Sequence, residues 1–346
     1  MKYNASNVEN IYSAMMAPDV HAAYLEFLEH LSSGDYSFRT EPFDTGENGY
    51  NLELILNAIG YGFPELLVIG NQPAAATARG GHMDIEAVER YPEKDLKSMY
   101  KAIEEEAEPL VEYLRGLPGV FDILCALNEY ICKNVRTNAR RDLPDGDIYG
   151  FFVNHEARCE GICKGAKYIL DKLGIRNQIL VGTTNDDDRI DHCWSIVWMD
   201  DVPYMFDFTW NTANSVAGIP CMLFMFMDSE TESKCHQHIY PGYPVCPDNS
   251  LETWNRCKGN VEYFSDLGNV EIYQSGDNYW AVARFYEGLP EDLEECRAEA
   301  SKWAADELHG YDYGEEIATS VHQMIDAIQF FFINEDESEY PDEDCP

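Results

Sequence analysis

Apolar residues recur at helical spacing downstream of Arg158, and this pattern predicts the helix around which the chain is organised. The residues of its apolar face are Ile162, Ala166, Ile169, Leu170 and Leu173. Lys167, Asp171 and Lys172 are expected to project from the other side. Gly174 follows the last apolar residue and ends the helix, because glycine readily adopts the conformation that terminates helices.

Two segments downstream, 191–198 and 203–211, are rich in β-branched and aromatic residues and predict a pair of strands. The dipeptide Asp200-Asp201 between them favours a turn, so the segments are expected to form a hairpin. Such a hairpin could place His192 and Asp207 side by side on one face.

Cys159 falls in the first turn of the predicted helix, where unpaired N–H groups and the helix dipole favour an anion. This position is expected to lower the pKa of a thiol and to make the thiolate a nucleophile. A nucleophilic thiol also needs a base, for which His192 is the candidate, and a group that orients the base. Asp207, flanked by two phenylalanines and so partly buried, is the carboxylate expected to pair with that histidine.

Five short motifs occur in a characteristic order. They are Tyr-Gly-Phe-Phe-Val-Asn at 149–154, Cys-Glu-Gly at 159–161, Leu-Gly-Ile at 173–175, His-x-Trp at 192–194 and Asp-x-Thr-Trp at 207–210. Together they resemble the transglutaminase-like (papain-like) cysteine superfamily, especially its bacterial branch.

The resemblance extends from about residue 123 to 211 and implies a Cys-His-Asp triad of Cys159, His192 and Asp207. It implies an α+β fold in which the cysteine helix packs on an antiparallel β-sheet. It also implies an amide-bond hydrolase or acyltransferase (a peptidase, an amidase or a transglutaminase-like enzyme) that works through an acyl-enzyme. The alternative is a catalytically silent protein-interaction module that keeps the fold.

Rival residues exist for each position of the triad. Cys163 lies one turn further along the helix, but as the nucleophile it would leave the distance to Gly174 about a turn too short. His192 could instead be a core histidine, but its placement before Trp194 favours the role of base. The carboxylates that compete with Asp207 by proximity in the sequence are Asp191, Asp200 and Asp201.

The oxyanion hole and the cleft have weaker signals. The backbone N–H of Cys159 is one expected donor to a developing oxyanion, and Asn154, with His155 behind it, is the side-chain candidate. Trp194 and Trp210 are expected beside the triad, either as core aromatics or as a wall of the cleft.

A group of zinc-type ligands lies further along the chain, namely Cys235, His236, His238, Cys246 and Cys257. Their spacing matches no regular finger or ribbon, and the prolines among them favour a loop that covers the cleft. We therefore predict no metal and no other cofactor, and a zinc-dependent protein is the third hypothesis.

The chain divides by pattern into four parts. These are a mainly helical N-terminal region at 1–117, the transglutaminase-like core at 118–260, a C-terminal α/β extension at 261–333 and an acidic, disordered tail at 334–346. Helices are predicted at 8–31 (a pair, or one kinked at Pro18), 52–59, 95–114 (kinked or split at Pro109), 120–135, 293–308 and 317–332. Further strands are predicted at 36–39, 64–70, 222–228, 261–264, 270–273 and 279–285.

Composition narrows the partners. The 346 residues contain 24 Lys and Arg against 63 Asp and Glu, a formal charge of −39 that repels nucleic acid and anionic membrane. A peptide or protein substrate, with cationic groups favoured, fits such a surface. The 11 cysteines are odd in number and irregularly spaced, and no leader or membrane-spanning pattern is found, so a cytoplasmic setting is expected. The oligomeric state leaves no signal in the sequence.

Overall fold

The computed structural model describes fourteen stretches of the chain. They are residues 4–67, 74–87, 91, 95–137, 146–185, 190–216, 219–247, 262–264, 268–275, 278–284, 292–295, 298, 316–322 and 327–333. The predicted acidic tail and most of the predicted helix 293–308 lie outside these residues.

The architecture is α+β. The helices are α1 (Pro18–Ser33), α2 (Tyr50–Gly62), α3 (Leu96–Arg115), α4 (Val120–Asn134), α5 (Cys159–Lys172), α6 (Phe208–Ala213) and α7 (Ser229–Cys235). The strands up to the candidate site are β1 (Ser37–Thr40), β2 (Ala74–Arg79), β3 (His82–Ala87), β4 (Arg136–Thr137), β5 (Glu156–Ala157), β6 (Asn177–Thr184), β7 (Asp191–Met199), β8 (Val202–Phe206) and β9 (His236–His238). The C-terminal strands are β10 (Glu262–Phe264), β11 (Gly268–Ser275), β12 (Asn278–Arg284), β13 (Glu316–His322) and β14 (Ala327–Ile333).

Four sheets are formed by these strands. The central one is antiparallel with the order β8-β7-β6-β9, and α5 packs against β6 and β7. The N-terminal sheet has the order β1-β3-β2, and the C-terminal sheet has the order β10-β11-β12-β14-β13. Strands β4 and β5 form a short parallel pair.

Helix α5 begins and ends where the pattern predicts. Cys159 is its first residue, and Gly174, just beyond its end, has a φ of +72°. Inside the helix, a Cβ on Gly165 would lie 2.3 Å from the ring of Phe151, so only glycine lets that ring pack so closely. The expected polar side is not exposed, because Lys164 and Lys167 are buried and paired with Glu160 and Asp171.

The N-terminal region covers that polar side. The side-chain amide of Asn7 donates to Asp171 at 2.7 Å, and the Nζ of Lys167 donates to Asn7 at 3.3 Å. The hydroxyl of Tyr12 donates to the carbonyl of Ile179 on β6 at 2.8 Å. The first residues of the chain therefore brace the helix that carries Cys159.

The hairpin of β7 and β8 confirms the predicted turn. Asp200 and Asp201 have φ values of 51° and 63°, and aspartate is one of the few residues that tolerate this left-handed backbone. The second strand is shorter than predicted, because it ends at Phe206 and the chain turns into α6. Ser195 pairs with Phe206, so continuing this register would bring Asp207 opposite Trp194, on the face that also carries His192.

Several other predictions are confirmed, and some are wrong. The helices around α2, α3 and α4 and the strands around β1, β10, β11 and β12 are confirmed, and α3 continues through Pro109 without interruption. The predicted helical segment 8–31 contains a single α-helix, α1, which Pro18 begins rather than kinks and which follows a short 3-10 turn at Ser13–Met15. Residues 64–67 form turns and no strand.

Two strongly apolar segments were assigned to the wrong structure. Residues 222–227 are buried but irregular, with only Met227 bridged to Met205, because they pack as a turn around Phe226 at positive φ, and Asp228 is partly exposed. The predicted helix 317–332 is instead the β13–β14 pair. Its apolar residues complete a five-stranded sheet, and the side chain of Gln329 ties this sheet to Met222 and Pro220 by hydrogen bonds of 2.7 and 2.8 Å.

None of the helices in the described part of the chain has both the length and the apolar character needed to cross a bilayer.

Candidate active site

Cys159 is the first residue of α5 and is half-buried at this N-terminal end of the helix. The preceding Arg158 is extended, and the first backbone hydrogen bond of the helix runs from Ile162 N–H to its carbonyl at 3.0 Å. Two consecutive residues of β7, His192 and Cys193, lie close enough to the thiol to shift its pKa.

Asp207 lies at the junction of β8 and α6 and is completely buried. Its Oδ1 accepts the backbone N–H of Trp210 at 2.9 Å and so caps the helix, while its own N–H donates to the carbonyl of Phe224 at 2.9 Å. This leaves Oδ2 to face the histidines. The carboxylate is therefore oriented by the helix that it starts.

His192 connects the other two residues. Its Nε2 lies 2.7 Å from Oδ2 of Asp207, so Nδ1 is the ring nitrogen that remains for the thiol of Cys159. The ring stacks near Trp210, with centroids 5.6 Å apart, and near Trp194 at 6.3 Å. Both tryptophans thus lie beside the site, with Trp194 fully buried and Trp210 partly exposed.

A second histidine reaches the same carboxylate. The Nε2 of His236, on β9, lies 3.0 Å from Oδ2 of Asp207, and its side chain is completely buried. Sequence reasoning had grouped this residue with possible zinc ligands and had missed the contact. The only signal was a histidine in a short strand-like segment, and nothing in the sequence pairs that segment with β6.

The charges of His192 and Asp207 stabilise each other. Burial alone would raise the pKa of Asp207, but the charge and hydrogen bond of His192, with the hydrogen bond of His236, hold it well below its usual range. Burial alone would lower the pKa of His192, but the charge of Asp207 raises it to about 10. An aspartate–imidazolium pair is therefore the state at neutral pH.

The thiol departs from the prediction of a lowered pKa. The contact with Cys193, followed by burial, raises the pKa of Cys159 well above its ordinary value, and the imidazolium of His192 acts in the opposite direction. The pKa of Cys193 is itself raised, through its contact with Cys163 and through burial, which outweigh its contact with Cys159. The helix N-terminus does not decide the outcome, because three thiols from α5 and β7 are packed together.

The rival residues lie in other settings. Cys163 is buried, with its Sγ 3.3 Å from the carbonyl of Cys193. Asp191, Asp200 and Asp201 are exposed.

The side-chain candidates for the oxyanion hole are not joined to the triad. Asn154 and His155 are exposed at the end of a π-helical turn, Gly150–Asn154, and His155 has a φ of 53°. Among the described residues, neither side chain forms a hydrogen bond with Cys159, His192 or Asp207. The backbone N–H of Cys159, at the open end of α5, remains the candidate donor.

His192, Asp207 and His236 could also hold a metal ion, since their ligand atoms lie within 4.8 Å of one another. Both Nε2 atoms, however, approach the same carboxylate oxygen at hydrogen-bond distance, whereas zinc ligands surround an ion about 2 Å from each. The zinc-type ligands of the third hypothesis are not brought together in the described residues, because His236 bonds to Asp207 and His238 to Glu232. Cys257 lies outside these residues.

No protein-family model matches the sequence, and no curated protein matches it significantly. Among solved structures, a transglutaminase is 15% identical to this chain, with a TM-score of 0.28. The matched region covers 50% of this chain and 50% of the transglutaminase. A protein described as a candidate cysteine protease from Cytophaga hutchinsonii is 8% identical, covers 40% of this chain and 62% of its own, and has a TM-score of 0.28. Menin, described with its binding site for the Mixed Lineage Leukemia protein, is 14% identical, covers 44% of this chain and 34% of its own, and has a TM-score of 0.27.

The chain thus spans between a third and two thirds of the length of each of these structures. Such low TM-scores and identities assign it neither to a family nor to an activity.

Proposed function

We propose that the protein is a cysteine-dependent enzyme of the transglutaminase-like type that acts on amide bonds through an acyl-enzyme. The observation that carries the proposal is the buried pair of His192 and Asp207, with 2.7 Å between Nε2 and Oδ2, placed where the imidazole shifts the pKa of the Cys159 thiol. A nucleophile, a base and a buried group that orients the base are the parts that this chemistry requires.

The reaction would begin when the thiol of Cys159 gives up its proton to water, since the imidazole of His192 already carries a proton. The thiolate then attacks the amide carbon, and the N–H of Cys159 supports the negative oxygen of the tetrahedral intermediate. The imidazolium of His192 protonates the departing amine as the C–N bond breaks, which leaves a thioester on Cys159. Water, activated by the neutral imidazole, then releases the acid; a second amine in its place would give transfer.

Hydrolysis of a peptide or protein amide is the outcome that we favour. The acidic surface, with a formal charge of −39, would attract substrates with cationic groups. Whether water or an amine takes the acyl group depends on the access of water to the thioester. The test therefore includes both acceptors.

The experiment traps the acyl-enzyme. The protein is incubated with aryl esters of N-acylated amino acids, with and without a primary amine, and mass spectrometry locates the acyl group on peptides. We expect the acyl group on Cys159 in the wild type and in the Cys163→Ala control, and its loss in Cys159→Ala. Acylation at Cys163, or at no cysteine, would contradict the proposal.

A silent interaction module is the second candidate, and one observation favours it. The raised pKa of Cys159 leaves the thiol protonated at neutral pH, as expected of an inert cysteine. The two candidates separate on acylation above pH 8, where an enzyme gains reactivity at Cys159 alone and a binding module gains it at every accessible thiol alike.

A further inference from the structure

We propose that His236 is a positioning residue that holds the carboxylate of Asp207 against His192, an inference that rests on the proposed function. Among the described residues, it is the second histidine on the carboxylate oxygen that the base already uses.

The geometry leaves the carboxylate little freedom. Oδ2 of Asp207 is contacted by the Nε2 of His192 at 2.7 Å and by the Nε2 of His236 at 3.0 Å. Oδ1 accepts the N–H of Trp210 at 2.9 Å. Three donors from β7, β9 and α6 thus hold the two oxygens, and rotation about the Cβ–Cγ bond would break at least one of these bonds.

His236 is itself held rigidly. Its ring stacks on Trp194, with centroids 4.4 Å apart, and on Trp210 at 4.8 Å. Strand β9 fixes the backbone, because His236 pairs with Thr184 of β6. A donor on such a support can orient the carboxylate with little loss of side-chain entropy.

Packing alone does not account for a histidine here. The Nδ1 of His236 is buried and accepts or donates no hydrogen bond within the described residues. A buried polar atom without a partner costs free energy that an apolar ring of the same shape would avoid. The contact from Nε2 to Asp207 is the compensating interaction.

A shared oxygen has a measurable consequence. Without the hydrogen bond of His236, the carboxylate is free to rotate away from His192, which weakens the attraction between Oδ2 and the imidazolium. His192 should then lose its proton at a lower pH. The titratable groups near His236 in the described residues are Asp207, His192 and His322. Burial lowers the pKa of His322.

The test measures the charge of His192 at the thiol. Cys159 is alkylated with iodoacetate and with iodoacetamide from pH 7 to 11, and mass spectrometry gives the two rates. Both reagents require the thiolate, so the ratio of rates reports the positive charge beside it. This ratio should fall with a midpoint where the imidazolium loses its proton.

The wild type is compared with three variants. His236→Phe keeps an aromatic ring and removes the donor, whereas His236→Gln can restore the donor to Asp207. His238→Phe is the matched control, because that histidine lies on the same strand and bonds to Glu232 instead. Thermal melting verifies that each variant is folded.

We expect the midpoint to fall by about one pH unit in His236→Phe, the scale of one lost hydrogen bond to a charged group, and to return toward the wild type in His236→Gln. His238→Phe should leave it unchanged. A wild-type midpoint in His236→Phe would overturn the inference and leave the proposed function standing. Labelling of Cys159 that does not depend on His192 would instead overturn the proposed function.

Zinc binding gives a further decisive result. Titration of the wild type and of His236→Phe with zinc chloride, followed by calorimetry, should show no tight site that depends on His236. A stoichiometric site lost in His236→Phe would make this residue a metal ligand and would overturn its positioning role.

Discussion

Two histidine–carboxylate pairs lie two residues apart on β9 and invite comparison. His236 bonds to Asp207 at 3.0 Å, and His238 bonds to Glu232 at 3.1 Å. Both carboxylates are buried, and both histidines leave Nδ1 without a partner in the described residues. The two pairs are alike in residue types and in the burial of the carboxylate, but the side chain of His236 is completely buried and that of His238 is 28% exposed.

Their surroundings differ. Asp207 is held by three donors and, through His192, faces the thiol of Cys159, whereas only Oε2 of Glu232 receives a well-directed hydrogen bond. Glu232 and His238 border an open cavity of about 600 Å³. A buried histidine–carboxylate pair alone therefore does not indicate a catalytic site. Asp207 belongs to a candidate site because it also contacts His192, which lies beside the thiol of Cys159.

Gly182 separates the two pairs. It pairs with both His192 and His238, so these histidines stand on one row of the sheet about 10 Å apart. A Cβ on Gly182 would lie 2.1 Å from the carbonyl of Gln237 and 2.6 Å from the ring of Trp194. The absence of a side chain there lets Trp194 lie between His236 and His238.

Neutralising each carboxylate should give the largest difference. Asp207→Asn leaves a buried imidazolium without its anion, and we expect it to lower the free energy of unfolding by about 3–5 kcal/mol. Glu232→Gln removes one partner of a half-exposed histidine and should cost about 1 kcal/mol. Urea unfolding at pH 7 measures both, and equal losses would contradict the distinction between the pairs.

Removing each histidine should separate the pairs by reactivity. His192→Ala deletes the group that stabilises the thiolate, so alkylation of Cys159 by iodoacetamide should slow about 100-fold. His238→Ala should change it less than about twofold, because that ring has no contact with the thiol in the described residues. The rate is followed on the Cys159 peptide at pH 8, and a similar slowing in both variants would show that neither histidine acts specifically.

The pH dependence of stability should reflect the first pair. The raised pKa of His192 contributes stability that is complete below its ordinary 6.5 and is lost as the pH rises toward 10. The lowered pKa of Asp207 contributes stability that is complete above its ordinary 3.8 and is lost as the pH falls. The pair should therefore stabilise most between about pH 4 and 6.5.

Urea unfolding from pH 5 to 9 tests this window. We expect the wild type to lose about 2 kcal/mol on the alkaline side, and Asp207→Asn to lose most of that dependence. An equal slope in the two proteins would assign the pH dependence to other groups.

The smallest expected effect concerns the neighbouring thiol. Cys193→Ala removes the contact that raises the pKa of Cys159, so the midpoint of its alkylation should move down by about one pH unit. Cys163→Ala is the control, because that thiol repels Cys159 without forming a hydrogen bond to it. A larger shift in the control would mean that Cys163 is the thiol that governs reactivity.

Local patterns predicted the elements that carry the three central residues. Helix α5 and the β7–β8 hairpin depend on apolar periodicity, one terminal glycine and a two-residue turn, all of which are visible within a few positions. The approach of His192 to Asp207 then follows from strand register, which a two-residue turn fixes.

The remaining features depend on contacts that are distant in the sequence. His236 reaches Asp207 only because β9, three residues long, joins the edge of β6. The predicted direction of the Cys159 pKa shift is wrong, because the residues around the start of α5 do not show that β7 places the thiol of Cys193 beside it. The apolar run 222–228 has no periodicity that distinguishes a buried turn from a strand.

The brace between the N-terminal residues and α5 has a consequence for biosynthesis. Asn7 and Asp171 are 164 residues apart, and Asp207 and His236 are a further 29 apart along the chain. In a nascent chain, the contacts of Asn7 with α5 and of Tyr12 with β6 can therefore form only after that helix and strand have left the ribosome. The surroundings of Cys159 are complete only once His236 has been made, 77 residues after the thiol itself, so its reactivity should develop after the synthesis of α5.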